Sequence, residues 1–220
     1  MSNNTSKVRY NELQNMGVLS DQVPADMLAM LNLEIQEIIA SDFKSQQQFN
    51  HKLLGHMKHE YDLSNCISRI EPYILNLVTM YDQQWNLLEH YDDSGASIVK
   101  YLKLTDLWVN IQKKHEFNPP HEHTGIASFV IWINIPYDLA AEEAYFPEVS
   151  GGKNANRTSK FTFHYSNVMG QHRHFMVEVD KNHEGTIILF PSKLNHSVNP
   201  FYTSDGYRIS VSGNIRSVQQ

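Results

Sequence analysis

The chain has 220 residues, of which 41% are hydrophobic and 19% are charged, a composition typical of a folded globular protein rather than a disordered chain. The formal net charge is −6, so the sequence lacks the broad basic surface of nucleic-acid-binding proteins, and nucleic acid is excluded as an expected partner. The single cysteine, Cys66, cannot form an internal disulfide, which favours a reducing, cytoplasmic location.

Membrane association is not expected either. The longest apolar run covers only residues 129–133, whereas a membrane-spanning helix needs roughly 20 apolar residues. The first residues are polar and have no apolar core of the kind found in secretory signals.

Residues 23–90 have the periodicity of helices. After Pro24, one apolar stripe repeats at helical spacing, formed by Leu28, Leu31, Ile35, Ile38 and Ile39. A second stripe follows Pro72 and is formed by Ile74, Leu77, Val78, Tyr81, Trp85 and Leu88. A shorter helix is predicted between them, from Phe49 to Leu63, and a turn is predicted at residues 91–95.

After Leu104 the pattern changes to short strands separated by Gly, Pro, Asn and Asp. Seven strands are predicted, over residues 104–112, 126–136, 160–166, 174–179, 185–191, 196–201 and 207–215. Residues 140–159 are predicted to be an exposed insertion. The sequence therefore predicts an α+β protein in which a helical region, residues 1–103, supports an antiparallel sandwich or barrel, residues 104–220, as one structural unit.

Three histidines have the spacing of metal ligands. His121 and His123 lie two residues apart where two prolines lead into a strand, so their side chains project from the same face. His196 begins a predicted strand late in the chain, at the mouth of a strand pair. Three ligands on one face of a β-barrel leave the opposite side of an ion open, as in oxygen-activating iron sites. We therefore predict that His121, His123 and His196 are the metal ligands and the catalytic centre.

Two other histidine pairs are given a structural interpretation. His172 and His174 have the same spacing as the first pair, but they follow a turn and have no recognisable third ligand, so a solvated hairpin tip is expected. His56 and His59 lie three residues apart on the predicted short helix without the HExxH pattern of zinc proteases, and they are expected at the surface.

Arg208 and Ser210 are predicted to face the same side of the last strand. A guanidinium offers a rigid fork to a carboxylate, and a hydroxyl two residues further on adds a donor to the same anion. The alternative is that Arg208 forms a structural salt bridge with an internal Asp or Glu.

The order His-x-His, a distal His and Arg-x-Ser resembles that of the Fe(II)- and 2-oxoglutarate-dependent oxygenases, over residues 104–216. Segments 118–136, 185–201 and 208–215 look like those of oxygenases encoded by tailed phages of marine bacteria. This resemblance implies a double-stranded β-helix, with Fe(II) and 2-oxoglutarate as cofactors. His121, His123 and His196 would then ligate iron, and Arg208 with Ser210 would bind the C5 carboxylate of 2-oxoglutarate.

The implied activity is hydroxylation of a small-molecule or peptide substrate by molecular oxygen, with release of succinate and CO2. A phage-encoded enzyme would act in the host cytoplasm. Alternation along the strand at 126–136 predicts an apolar wall beneath the iron from Ala127, Phe129, Ile131 and Ile133, which are equally suited to the core. Two alternatives stay open: a non-catalytic β-sandwich binding or structural phage protein, and a three-histidine cupin-type enzyme that needs no 2-oxoglutarate.

The sequence departs from the family pattern at His123, where an Asp or Glu is usual. A neutral imidazole leaves the iron one unit more positive than a carboxylate would. Two other ligand sets are therefore considered. Glu122 could be a ligand if the strand began with a bulge, or His123 could be the first ligand with Gly125 in the carboxylate position.

Overall fold

Two antiparallel sheets face each other in the computed structural model, which describes residues 13, 15–43, 48–49, 55–91, 101–145 and 156–218. Within these residues the strands and α-helices are, in chain order, β1 Leu19–Gln22, α1 Ala25–Ala40, β2 Glu60–Asp62, α2 Ile67–Trp85, β3 Leu102–Gln112, β4 Asn118–His121, β5 Ala127–Asn134, α3 Leu139–Ala144, β6 Phe161–Ser166, β7 His172–Val177, β8 Thr186–Pro191, β9 His196–Val198 and β10 Arg208–Ser217. Short 3-10 helices cover Ser64–Cys66, Leu87–Tyr91 and Lys181–His183.

The strand order defines the fold. The larger sheet runs β1-β8-β5-β10-β3-β2 and the smaller runs β4-β9-β6-β7. Every adjacent pair is antiparallel. From β3 to β10 the chain passes back and forth between the two sheets, except at the β6–β7 hairpin, which lies wholly in the smaller sheet. This winding is that of a double-stranded β-helix. The predicted α+β class and the seven predicted strands are confirmed.

Two hydrophobic clusters occupy the two sides of the larger sheet. The helices cover its outer face, where Ile35 of α1 and Ile74 of α2 lie in one buried cluster with Val211 of β10. The space between the sheets is filled by Val130, Trp132, Phe161, Phe163, Ile188, Phe190 and their neighbours. Each fully buried side chain of this size contributes about 1.5–3 kcal/mol, so both clusters stabilise the sheet. The two predicted helical stripes are confirmed by this packing.

The predicted apolar wall beneath the metal is wrong by one residue. Ala127, Phe129 and Ile131 belong to the cluster under the helices, whereas Val130 and Trp132 face the space between the sheets. Both faces of β5 are buried, so its apolar run carries no alternation from which the inward face could be read.

The predicted helix from Phe49 to Leu63 is also wrong. Residues 60–62 form β2, where Tyr61 pairs with Val109, and residues 50–54 lie outside the described part. His56 is exposed, whereas the ring of His59 stacks on Phe43. The apolar residues of this segment have helix-like spacing, but residues 60–62 pair with β3 at the edge of the larger sheet. Such pairing is a non-local interaction that local secondary-structure propensity does not predict.

Three short strands were missed, and one insertion differs from expectation. β1, β2 and β4 have only three or four residues, too few for an alternating pattern, and β4 contains Pro119 and Pro120. The expected exposed insertion begins with α3 and ends in buried residues, Thr158 and Ser159, while residues 146–155 lie outside the described part. Of the turn predicted at residues 91–95, residues 92–95 also lie outside the described part.

β1 pairs with β8, and β2 pairs with β3. The region before residue 104 therefore contributes two strands to the larger sheet, in addition to the helices that cover it. None of the described helices is long and apolar enough to span a membrane.

Glu60 on β2 is a buried carboxyl in this sheet. It lies opposite Asn110, is only 2% exposed, and no hydrogen-bond donor among the described residues reaches its Oε1. Burial, with a smaller effect from the Glu116 carboxylate, raises the pKa of Glu60 to about 7. The neutral acid is therefore the form that the fold favours.

This burial makes a testable contribution to stability. The folded-state pKa lies above the usual value of 4.5, so the contribution of Glu60 is complete below pH 4.5 and is lost as pH rises through 7. Between these values the wild type should lose about 3 kcal/mol of unfolding free energy relative to Glu60→Gln. Urea titrations of both proteins across this pH range measure the difference; two parallel curves would contradict the prediction.

Candidate functional site

The predicted histidines come together where the two sheets open. His121 ends β4 and lies directly opposite His196, the first residue of β9. His123 follows two residues later, and its backbone N–H donates to the Ser192 carbonyl at 2.8 Å. One candidate ligand atom from each of the three imidazoles lies within 4.8 Å of the others. Strand pairing thus joins residues that are far apart in the sequence.

Backbone carbonyls orient two of these rings. The Nδ1 of His121 lies 2.7 Å from the Pro119 carbonyl, and the Nδ1 of His196 lies 3.0 Å from the Leu194 carbonyl. A carbonyl oxygen can only accept, so each Nδ1 carries the hydrogen and each Nε2 keeps its lone pair. The Nε2 atoms of His123 and His196 are 3.2 Å apart. Fixing of the second nitrogen by a hydrogen bond is the usual arrangement of metal-bound histidines.

All three imidazoles are neutral near pH 7. Burial lowers the pKa of His121, and burial together with the charge of His121 lowers that of His123 to about 4. The pKa of His196 is held well below its usual value, again chiefly by burial. Neutral imidazole is the form that binds metal, and this donor set fits Fe(II) as well as other first-row divalent ions.

The two residues considered as alternative ligand positions lie outside the cluster. The carboxylate of Glu122 points to solvent, is about half exposed, and accepts a hydrogen bond from Lys193 Nζ at 2.7 Å. Gly125 has a φ of +124° in the turn before β5, and a Cβ there would lie 2.6 Å from the Ile215 carbonyl oxygen. The pairing of β4 with β9 shifts register between Asn118 and His121, but this irregularity does not turn Glu122 inward, and His121 and His123 remain together in the cluster.

Arg208 is buried on the inner face of β10, with only 4% of its surface exposed. Its Nε and one terminal nitrogen donate to Gln112 Oε1 at 2.9 and 2.7 Å, and the other bonds go to the Tyr137 hydroxyl and to the carbonyls of Ser159 and Asn199. All of these acceptors are neutral. Gln112, Tyr137, Ser159 and Asn199 were not identified from the sequence, in which they carry no motif.

The structural salt bridge considered for Arg208 is not found. No described Asp or Glu forms an ion pair with its guanidinium. A buried charge without a counter-ion is costly even when its hydrogen bonds are made. A carboxylate ligand that replaced some of the neutral acceptors would supply the missing charge, so the residue fits the acid end of 2-oxoglutarate.

A small cavity joins Arg208 to the histidines. Its volume is about 40 Å³, and its described lining has no acidic residue; the lining includes His121, His123, His196, Arg208 and Ser210. The Ser210 hydroxyl accepts a hydrogen bond from Asn110 Nδ2 at 3.4 Å. This volume holds only one or two water molecules, so a larger ligand requires lining groups to move.

The architecture and the histidine cluster define a double-stranded β-helix protein with a candidate metal centre. Residues 106–214 match a family model described as "Putative 2OG-Fe(II) oxygenase". This match assigns the β-helix to the 2-oxoglutarate- and Fe(II)-dependent oxygenases, and the protein is a dioxygenase of that family. Its cofactors are accordingly Fe(II) and 2-oxoglutarate, and its substrates include molecular oxygen.

Two solved structures share the fold. A Pseudomonas putida prolyl-4-hydroxylase matches with a TM-score of 0.53 at 13% identity, covering 93% of this chain and 94% of that one. A Trichoplax adhaerens prolyl hydroxylase, in complex with a hypoxia inducible factor oxygen degradation domain peptide fragment, matches with a TM-score of 0.50 at 9% identity, covering 92% and 84%. No curated protein matches the sequence. The narrower resemblance to phage enzymes stays a prediction.

The turn at Gly125 gives a test of how the site is held. Gly125→Ala places a methyl group against the Ile215 carbonyl at a backbone angle that L-residues avoid, and should cost about 3 kcal/mol of unfolding free energy. Gly170 also has a positive φ, but a Cβ there meets nothing within 4 Å, so Gly170→Ala should cost only about 1 kcal/mol. Chemical denaturation measures both; equal losses would contradict the close approach at Gly125.

Proposed function

We propose that His121, His123 and His196 hold the iron of this oxygenase and that Arg208, assisted by Ser210, holds the C5 carboxylate of 2-oxoglutarate. The observation that carries the proposal is the buried guanidinium, which forms no ion pair with any described carboxylate and lines the same cavity as three neutral imidazoles. A non-catalytic module or a cupin-type enzyme without a co-substrate would have no use for an internal cation that pairs with none of the described carboxylates.

The reaction assigned to the site is hydroxylation of a substrate C–H bond. When bound, Fe(II) and 2-oxoglutarate supply the activation of dioxygen, with 2-oxoglutarate oxidised to succinate and CO2. The protein orients the ligands through the carbonyls behind His121 and His196. The aromatic packing around His196, from Phe161 and Phe190, keeps bulk water away from the inner side of the centre.

The electrostatics of the cavity support binding of a dianion. With three neutral ligands, the full charge of a divalent ion would remain, and Arg208 adds another positive charge. None of the described lining residues is acidic, and the nearby Asp106 carboxylate, which acts on His123, is paired with Arg216. A dicarboxylate such as 2-oxoglutarate would be the main source of negative charge, so the histidine at position 123 makes the site more dependent on the co-substrate.

We further propose a peptide as the substrate class, acted on at the open end of the barrel. The support is the Trichoplax adhaerens neighbour, which was solved with a peptide fragment bound. A small-molecule substrate is the alternative.

In the same proposal, residues 1–103 act as a support that belongs to one structural unit with residues 104–220, since α1 and α2 share a core cluster with β10.

Removal of one histidine tests the metal assignment. His196→Ala should weaken Fe(II) binding at least about a hundredfold, because loss of an outer-shell partner alone costs 10- to 100-fold. Anaerobic titration with Fe(II) measures the affinity. Glu122→Gln is the matched control: its carboxylate is exposed, so both the affinity and the stability should stay unchanged. If His196→Ala still bound Fe(II) tightly, or if Glu122→Gln lost tight binding, the assignment of the three histidines as the metal ligands would be wrong.

Replacement of Arg208 tests the co-substrate assignment. Arg208→Lys keeps the charge but loses the planar fork, so the affinity for 2-oxoglutarate should fall about ten- to a hundredfold. Anaerobic titration of the Fe(II)-loaded protein with 2-oxoglutarate, followed by the visible charge-transfer band, measures it. The melting temperature should fall too, because Lys cannot satisfy all four acceptor groups.

Arg216→Lys is the control for this experiment. Arg216 lies on the same strand, but it is partly exposed and pairs with Asp106 at 2.8 Å. It should leave the affinity for 2-oxoglutarate unchanged. An unaltered affinity in Arg208→Lys would show that the guanidinium serves structure alone.

A further inference from the structure

A second histidine cluster lies on the outer face of the smaller sheet. In the β6–β7 hairpin, His164 is directly opposite His174, and Ser166 is opposite His172. Residues opposite each other in an antiparallel pair project from the same face. The Nδ1 atoms of His164 and His174 are 2.9 Å apart.

This separation is that of two ligands on one ion. Zinc–imidazole bonds are about 2.0–2.1 Å long, so two nitrogens on one ion lie about 2.9–3.3 Å apart when the angle between the bonds is near 90° to 110°. An ion with these bond lengths would lie to one side of the line between the two nitrogens, so the nitrogens could keep their separation while the rings turn to aim their lone pairs at it.

The surroundings of His164 suit this role. Its Nε2 lies 2.9 Å from the Ser197 hydroxyl, which fixes the ring with Nδ1 directed at His174. A hydrogen bond at the second ring nitrogen is the usual support of a metal-bound histidine. A surface groove of about 580 Å³ lies over the pair and also includes His172, which leaves room for water to complete the coordination.

The charge state of the pair is also suitable. Burial lowers the pKa of His164, with smaller effects from His174 and Arg157. The pKa of the largely exposed His174 is also lowered, by the slight desolvation of its ring and then by Arg157. Both imidazoles are therefore neutral at pH 7, as metal binding requires.

We infer that His164 and His174 form a second metal site, for a borderline divalent ion such as Zn²⁺ or Ni²⁺, separate from the three-histidine centre. Its ion would cross-link β6 to β7. Because successive residues of a strand face opposite sides, Ser197 meets this site on the outer face of β9 while His196 faces the inner cavity. The second ion would thus brace the strand that carries His196 without touching the inner centre.

Counting Zn²⁺ equivalents by calorimetry tests the inference. The wild type should bind two equivalents, and His174→Ala, whose side chain is exposed, should bind one. The variant with both His121→Ala and His196→Ala should keep one equivalent, and adding His174→Ala should abolish it. Both of these last two variants lack His121 and His196, so comparing them tests the second site whether or not the three-histidine proposal is correct.

His172→Ala is the matched control, on the same exposed strand and face. It should keep the second equivalent with an affinity within about threefold of the wild type, whereas His174→Ala should lose at least about tenfold. The inference would be overturned if His174→Ala still bound two equivalents of Zn²⁺, or if His172→Ala lost as much affinity for the second equivalent as His174→Ala.

Discussion

The two-sided burial of β10 is the constraint on which this structure depends. One face of the strand places Ile209, Val211 and Ile215 under the helices, and the other places Arg208 and Ser210 at the inner cavity. The strand lies between β5 and β3 in the larger sheet, so its position is set by hydrogen bonds on both edges. The same backbone therefore anchors the helical layer and aims the groups assigned to the co-substrate, and a slip by one residue would abolish both.

The second organising feature is the electrostatic character of the inner cavity. A protein normally balances a buried guanidinium with a carboxylate, but Arg208 is surrounded by neutral acceptors. The three imidazoles near it are neutral as well, because burial suppresses their protonation. The site is thus short of negative charge. Under the proposed ligand set, in which His123 stands where the family pattern has Asp or Glu, a dianionic co-substrate would supply the missing negative charge.

The smaller sheet uses its two faces differently. His196 faces inward and packs against Phe161 and Phe190, whereas His164 faces outward and contacts His174 in the open groove. The two histidine groups are connected through β9, where Ser197 follows His196 directly. Because successive residues of a strand face opposite sides, the two histidine groups lie close together but on opposite faces of the smaller sheet.

Local patterns in the sequence determined much of this protein. The helical stripes, the seven predicted strands and the clustering of His121 with His123 all follow from periods of 3.6 and 2 residues, which are properties of each segment alone. The order of the motifs also led to the oxygenase family, which the family match confirms. The metal and co-substrate roles of these residues stay predictions.

Tertiary structure alone decided the features that depend on the register between distant strands. It set which face of β5 is inward, turned the residues before Leu63 into the edge strand β2, and paired His164 with His174. It also brought to Arg208 acceptors that lie 49 and 96 residues away, at Ser159 and Gln112. Such contacts arise from hydrogen bonding between strands and from burial on both faces of a sheet. Neither of these produces a periodic pattern of residues that could be read from one segment of the sequence.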